Sequence, residues 1–200
     1  MKKILVLLII GVLFISGCSM KDLFVRENEK IEYLKGKINV EMNVKDYGVI
    51  RLELDADTAP ITVTNFVNLV KEGFYDGLTF HRIISNFMIQ GGDPEHTGLG
   101  GSDEPIKGEF KSNGVENNIS HTRGVISMAR TPYDNDSASS QFFIVHQDST
   151  FLDGDYAAFG HVTEGIEIVD QIVANVNPTE EDIEISYENQ PVITSIKVIE

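Results

Sequence analysis

The stretch that decides the fold is Phe80-His81-Arg82-Ile83-Ile84-Ser85-Asn86-Phe87-Met88-Ile89-Gln90-Gly91-Gly92-Asp93. Two short apolar runs flank a Ser-Asn pair that is typical of turns, which predicts a β-hairpin. Because successive side chains of a strand point to opposite faces, Arg82 and Ile84 share one face. Met88 and Gln90 extend that face on the second run. A cationic donor next to an apolar slot is suited to holding a neutral amide beside an apolar ring.

Four later segments follow in a fixed order: Ser127-Met128-Ala129-Arg130, Gln141-Phe142-Phe143-Ile144, Phe151-Leu152-Asp153-Gly154 and Phe159-Gly160. Together with the 80–93 stretch, they closely resemble the signature of the cyclophilins, a family of peptidyl-prolyl cis/trans isomerases. The resemblance covers roughly residues 38–200. It implies a mainly β fold in which a closed eight-stranded antiparallel barrel is capped by two α-helices.

Hydrophobic patterning indicates the same fold class. Apolar and polar residues alternate over 38–44 and 49–54, which predicts a half-buried hairpin. Pro60 suits the first turn of a helix that Gly73 would end, and a second helix is expected from Glu164 or Gly165. Further strands are expected over 78–84, 87–90, 125–128, 142–145, 158–162 and 192–199. Many strands with one early and one late helix favour a closed antiparallel barrel with helices over its open ends.

The N-terminus has the pattern of an export signal. Lys2 and Lys3 precede an apolar run over 4–15, and small residues then precede Cys18, the one cysteine of the chain. Such a run is short for a transmembrane helix and typical of a secretory signal. Its end resembles a bacterial lipobox, which implies that residues 1–17 are a lipoprotein signal peptide and that Cys18 is lipidated.

The expected organisation follows from that anchor. Residues 18–37 are rich in charge and are expected to form a tether, and residues 38–200 to form one isomerase domain. The predicted location is extracytoplasmic, on a bacterial membrane through the lipid. The expected partners are proline-containing, unfolded or partly folded exported proteins, and the domain is expected to be monomeric.

Composition disfavours other functions. The 200 residues include 31 acidic and 16 basic side chains, a formal charge of −15 at pH 7, which argues against nucleic-acid binding. The five histidines form no HxxxH or HExxH pair, so neither a metal site nor a cofactor is expected. His81 is expected on the face opposite Arg82, in a structural role. The 98–101 glycines lack the ending of a phosphate loop, and the resemblance implies that they edge a secondary substrate groove.

The resemblance also implies a role for each site residue. Arg82 is the expected catalytic donor, with Phe87 and Gln90 beside it. The expected substrate-binding residues are Met88, Ala129, Arg130, Gln141, Phe143, Phe151, Leu152 and Tyr156. Three of these depart from the best-known eukaryotic members, in which tryptophan, histidine and asparagine are common where this chain has Phe151, Tyr156 and Arg130. Arg130 is expected to act through its backbone.

Three functions remain open at this point. The first is an enzyme that accelerates rotation of X–Pro bonds in exported proteins. The second is a module that binds proline segments without depending on turnover. The third is a surface adhesin, for which acidity is the one indication. An arginine at the rotating nitrogen favours the enzyme, because a pure binder has no use for it there, although a fold alone does not decide function.

Overall fold

Alternating apolar and polar residues form the first hairpin of the domain. In the computed structural model, which describes residues 32–176 and 185–199, β1 (Lys37–Val44) pairs antiparallel with β2 (Gly48–Asp55). Val40 and Met42 are buried, and their polar neighbours face outward, as a sheet with one covered face requires. The domain's contacts begin slightly earlier, because the Leu34 N–H donates to the hydroxyl of Thr64 at 2.8 Å.

The expected strands form one sheet, and every pairing between them is antiparallel. The remaining strands are β3 (Phe80–Ile84), β4 (Met88–Gly91), β5 (Val125–Met128), β6 (Phe142–Val145), β7 (Ala158–Glu164) and β8 (Ile193–Ile199). Their order across the sheet is β3-β4-β6-β5-β7-β2-β1-β8. The described residues are therefore mainly β, with eight strands and two α-helices, as predicted.

The expectation of a closed barrel is wrong. Strands β3 and β8 are the two edges of the sheet, and between them the described residues form one isolated bridge, from Thr79 to Val192. The Phe80 N–H donates to the carbonyl of Pro191 at 2.9 Å, but Pro191 has no N–H with which to return a ladder bond. The sheet is therefore an open half-barrel whose two edges approach each other but do not form a continuous ladder of backbone hydrogen bonds.

The first helix, α1 (Pro60–Lys71), is capped from a distance. Its preceding residue makes no capping hydrogen bond. Instead the buried carboxylate of Glu109 accepts from the N–H of Ile61 at 3.0 Å and of Thr62 at 2.7 Å. These are backbone donors that a helix leaves unpaired, and the positive end of the helix dipole favours the negative charge. Glu109 thus fastens a loop to the start of the helix.

The second helix, α2 (Ile166–Val176), begins one residue after the predicted Gly165 and buries one apolar side, formed by Ile168, Val169, Ile172 and Val173. Gly165 precedes it with φ +85°, and a Cβ there would lie 2.3 Å from the Val49 carbonyl oxygen. A side chain at this junction therefore conflicts with both the backbone conformation and the space. Neither helix of the described residues has the length and hydropathy needed to span a bilayer.

The buried apolar residues divide into two clusters. The larger, here called the main core, includes Phe66, Phe142 and Phe159. The smaller, here called the groove-side cluster, consists of Met88, Val125, Phe143, Val145, Leu152 and Ala158. Neighbours along a strand fall into different clusters because side chains alternate between its faces. The groove-side cluster lies on the opposite face of β4, β5 and β6 from the main core.

Candidate active site

The β3–β4 hairpin places its polar pair as the sequence predicts. Arg82 lies opposite Gln90, and Ile84 lies opposite Met88 in the antiparallel register. The Nη1 atom of Arg82 donates to the Oε1 atom of Gln90 at 3.3 Å. Asn86 makes the turn with φ +61°, a conformation that asparagine tolerates better than most residues. The common face expected from the sequence is therefore formed.

Ten of the eleven predicted site residues line a single groove of about 570 Å³, here called the substrate groove. These are Arg82, Phe87, Met88, Gln90, Ala129, Arg130, Phe143, Phe151, Leu152 and Tyr156, and they are joined by His81, Thr97 and Gly98. They come from β3, β4, β6, the turn between β3 and β4, and the segments that follow β4, β5 and β6. Residues far apart in the chain are thus gathered by the sheet order.

The groove has an apolar floor with aromatic rims. Phe143, Met88 and Leu152 are buried and belong to the groove-side cluster. The rings of Phe87 and Phe151 pack at a centroid distance of 5.5 Å, although Phe151 is 72% exposed. Such a slot fits a small apolar ring that is bounded by aromatic faces.

One wall of the groove is a chain of amide hydrogen bonds. Gln90 donates through Nε2 to Oε1 of Gln141 at 2.8 Å. Gln141 in turn donates to the carbonyls of Gly98 at 3.0 Å and Gly100 at 2.7 Å. This network turns the oxygen of Gln90 towards Arg82. Gln141, the eleventh predicted residue, therefore forms the part of this wall behind Gln90 and does not itself line the groove.

Beyond that wall lies a second depression of about 490 Å³, here called the adjoining groove. Its edge is the glycine-rich 98–101 loop that the sequence singled out, and Arg130 lines both grooves. Asp93 holds the loop, since its carboxylate accepts from the backbone N–H groups of Glu95 and Thr97. Burial alone would raise the pKa of Asp93, but these and other backbone donors lower it below its ordinary value.

His81 departs from its predicted position. The pairing of β3 with β4 shifts register between Phe80 and Arg82, so a bulge interrupts the alternation at His81. His81 consequently lines the substrate groove beside Arg82. Burial, reinforced by the charge of Arg82, lowers the pKa of His81. The ring is therefore neutral at pH 7, and no sequence signal indicates the bulge.

A hydrogen-bonded triad that the sequence did not reveal supports the floor from behind. Asp153 accepts from Nδ1 of His121 at 2.8 Å, and Nε2 of His121 lies 3.0 Å from the hydroxyl of Ser127. The His121 ring stacks on Phe143 at 6.0 Å and 18°. The trio has the composition of a hydrolase triad, but Ser127 is fully buried, so no substrate reaches its hydroxyl. Its role is to fix Phe143.

Comparison with known proteins now decides the family. The model of the family described as "Cyclophilin type peptidyl-prolyl cis-trans isomerase/CLD" matches residues 39–198. The chain belongs to the cyclophilins. Its activity is peptidyl-prolyl cis/trans isomerisation, so the alternatives of a module that merely binds proline segments and of an adhesin are set aside.

Similar cyclophilins come from several bacteria. The chain is 46% identical over 124 residues to peptidyl-prolyl cis-trans isomerase B of Bacillus subtilis, a match that covers 62% of this chain and 82% of the relative. It is 42% identical over 166 residues to peptidyl-prolyl cis-trans isomerase A of Dickeya dadantii, covering 76% and 80%.

Solved structures agree with the fold. A cyclophilin-type isomerase of Cryptosporidium parvum superposes with a TM-score of 0.72 at 28% identity, over 82% of this chain and 99% of the other. The structure of the same isomerase in the presence of the dipeptide Ala-Pro gives a TM-score of 0.70 at 28% identity, over 81% and 99%.

Proposed function

We propose that the substrate groove is the catalytic site and that it isomerises X–Pro bonds in exported proteins that have yet to finish folding. The observation that carries the proposal is the pairing of Arg82 with Gln90 along one wall of a groove whose floor is Phe143. A fixed cationic donor is thereby set beside an apolar slot. This is the pair of features that a prolyl amide needs, one for its nitrogen and one for its ring.

The chemistry requires neither a nucleophile nor a metal. Rotation about the peptide bond crosses a barrier of about 18–20 kcal/mol because twisting destroys amide resonance, and unaided X–Pro isomerisation takes tens of seconds. In the twisted state the prolyl nitrogen becomes pyramidal and can accept a hydrogen bond. Arg82 donates to that nitrogen, and its permanent charge and rigid fork favour the twisted state over the planar one.

The remaining residues hold the substrate while the bond turns. Phe87, Met88, Phe143 and Leu152 enclose the proline ring, and Phe151 and Tyr156 extend this apolar surface. Gln90 holds a backbone group near Arg82, with Gln141 fixing its orientation. The backbone at Ala129 and Arg130 pairs with the residue before proline. In support, the similar Cryptosporidium isomerase was studied with the proline dipeptide Ala-Pro.

Substitution of Arg82 tests the catalytic proposal. Arg82→Ala should lower kcat/KM by about 10²–10³, since a preorganised donor to the transition state is lost. Arg82→Lys should remain well below the parent because lysine lacks the fork. Arg51→Ala is the matched control, because Arg51 is exposed and pairs with Glu41 and Glu164 on the outside of the sheet. A folded Arg82→Ala protein within about threefold of the parent would contradict the assignment.

The cellular part of the proposal rests on the N-terminal sequence, which lies outside the described residues. Residues 1–17 would be removed as a lipoprotein signal peptide, and Cys18 would carry lipid and anchor the domain to the outer side of a bacterial membrane. Cys18→Ser should release the protein from membranes or leave it unprocessed. Mass spectrometry that finds an unmodified Cys18, or a different mature start, would overturn the anchor and leave the isomerase intact.

A further inference from the structure

Arg130 is held in a fixed position between the two grooves. Its guanidinium carbon lies 4.8 Å from the ring centroid of Tyr156 and 5.2 Å from that of Phe110. Its Nε donates to the carbonyl of Asp155 at 3.0 Å, and its Nη1 donates to the carbonyl of Thr131 at 2.9 Å. Among the ion pairs of the described residues none includes Arg130. Its charge is therefore positioned but not neutralised by a carboxylate.

The charge of the two grooves is opposite to that of the whole chain. The chain carries 31 acidic and 16 basic residues. Yet among the described residues that line the substrate groove and the adjoining groove, the charged side chains are Arg82 and Arg130, and none is a carboxylate. A cleft that is lined by one sign of charge and has apolar walls concentrates the opposite charge.

We propose that Arg130 is a specificity residue that favours substrates with an acidic side chain shortly before the proline. The inference rests on the proposed use of the groove as the substrate site. An extended peptide with its proline ring over Phe143 passes Arg130 on its way into the adjoining groove, because Arg130 lines both. Residues of an extended chain are spaced by about 3.3–3.6 Å, so the residue two positions before the proline lies about 7 Å back along the peptide, and the proposal places its carboxylate at the guanidinium. The Nη2 atom, which makes no hydrogen bond in the described residues, is available to it.

A peptide series with full-length protein tests this proposal. The substrates are Xaa-Ala-Pro-Phe peptides in which Xaa is Glu, Gln or Lys, and exchange NMR measures kcat/KM for each without a coupling protease. The parent should favour the Glu peptide over the Lys peptide by about fivefold at low salt, as expected for a half-exposed ion pair. The preference should shrink towards unity at about 0.5 M salt, where charges are strongly screened.

Variants then assign the preference to Arg130. Arg130→Gln should abolish it and Arg130→Lys should retain part of it, because lysine keeps the charge but not the fork or the stacking. Arg51→Gln is the matched control, since it makes the same change in net charge on the outer face of the sheet and should keep the full preference.

Each other outcome has a distinct meaning. Equal loss for all three peptides in Arg130→Gln would show that Arg130 merely braces Tyr156 and Phe110, and would overturn the proposal. So would a parent protein that treats the Glu and Lys peptides alike, even if the variants fail to fold. Binding of the same peptides to Arg82→Ala, which should be inactive, is a separate measurement. If this variant still bound the Glu peptide more tightly than the Lys peptide, the proposal would stand independently of the role of Arg82. Absence of turnover in the parent with every peptide would instead refute the proposed function.

Discussion

Phe142 and Phe143 are neighbours in β6, yet they belong to different parts of the molecule. Phe142 is fully buried and packs edge-on against Phe66 and Tyr75, both at centroid distances of 5.6 Å, in the main core. Phe143 is 5% exposed, stacks on His121 and forms the floor of the substrate groove. One residue of register therefore separates a side chain in the main core from one that lines the groove proposed as the substrate site.

The two sides of the sheet differ in what covers them. The main core is formed by side chains of α1, α2 and the strands, so its residues are enclosed on all sides. The groove-side cluster is covered by the turn that contains Leu152 and by the hairpin residue Phe87, and part of it stays open. Closed packing should carry most of the stability, whereas the open side can admit a substrate.

Substituting the two phenylalanines should produce the largest difference between the two faces of β6. Phe142→Ala should lower the free energy of unfolding by about 3–5 kcal/mol, because it leaves a closed cavity in the main core. Phe143→Ala should cost less, about 2 kcal/mol, since water can enter the open groove. Phe143→Ala should nevertheless lower kcat/KM per folded molecule roughly tenfold more than Phe142→Ala does, because Phe143 lines the groove and Phe142 does not. Urea denaturation and an isomerisation assay measure both quantities.

The paired leucine variants provide the control for this experiment. Phe142→Leu and Phe143→Leu keep apolar volume and serve if the alanine variants do not accumulate. Equal losses of stability at the two positions, or a larger catalytic loss at Phe142, would show that the two faces are not separated in the way described.

Glu109 offers a way to weaken the fold without touching the groove. Glu109→Gln should lower the free energy of unfolding by about 2 kcal/mol, because charge-assisted hydrogen bonds to the N–H groups of Ile61 and Thr62 are weakened. Glu104→Gln, at an exposed position, makes the same charge change and should have little effect. We expect kcat/KM of the folded Glu109→Gln protein to stay within about twofold of the parent. If Glu109→Gln lost as much kcat/KM as Phe143→Ala, this would instead show that the helix cap and the groove are coupled.

Acid should act on the groove side through His121. Burial lowers the pKa of His121 below its ordinary 6.5, although the hydrogen bond with Asp153 opposes the shift. The unfolded chain therefore protonates His121 more readily than the folded chain does. The stability that the neutral His121 contributes is complete above pH 6.5 and is lost as the pH falls through the folded-state pKa. Denaturant titrations from pH 8 to 5 should show this decline.

Two histidine variants separate the effect of His121 on acid stability from that of the other buried histidines. His81 and His146 also have a lowered pKa, mainly because of burial, so they contribute a background slope in the same direction. His121→Gln should flatten the decline between pH 6.5 and 5, and His161→Gln, at an exposed position on β7, should leave it unchanged. If the slope of the free energy of unfolding against pH were unchanged in His121→Gln, protonation of His121 would not be the cause of the decline.

Local sequence patterns were sufficient where one strand or hairpin decides the outcome. The common face of Arg82 and Met88 follows from the period of two, and the start of α1 follows from Pro60. The resemblance to cyclophilins supplied the long-range gathering of residues such as Leu152 and Tyr156, which no local pattern encodes. The groove-lining set was therefore predictable because the family signature, and not periodicity alone, linked distant segments.

The features that were missed depend on tertiary register or on contacts between distant residues. The bulge at His81 arises from pairing with β4, and the open edge arises where Pro191 meets Phe80. The support of Phe143 by His121 and Asp153 joins residues that are separated by 32 positions in the chain. The stacking of Arg130 on Tyr156 likewise appears only when two loops meet, which is why its side chain was assigned no role from the sequence.

The smallest change in stability is expected at the rim of the groove. Phe151 is 72% exposed and contacts Phe87 at a centroid distance of 5.5 Å, so Phe151→Ala should alter the free energy of unfolding by less than about 0.5 kcal/mol. It should nevertheless raise KM severalfold while leaving kcat close to that of the parent, because the ring contacts the substrate equally in the planar and twisted states. Tyr133→Ala, which removes an even more exposed ring outside the lining of either groove, is the control and should change neither constant. A fall in kcat with KM unchanged would mean that Phe151 acts on the rotating bond itself. Phe151 would then share the catalytic role proposed for Arg82 and Gln90 instead of merely holding the substrate.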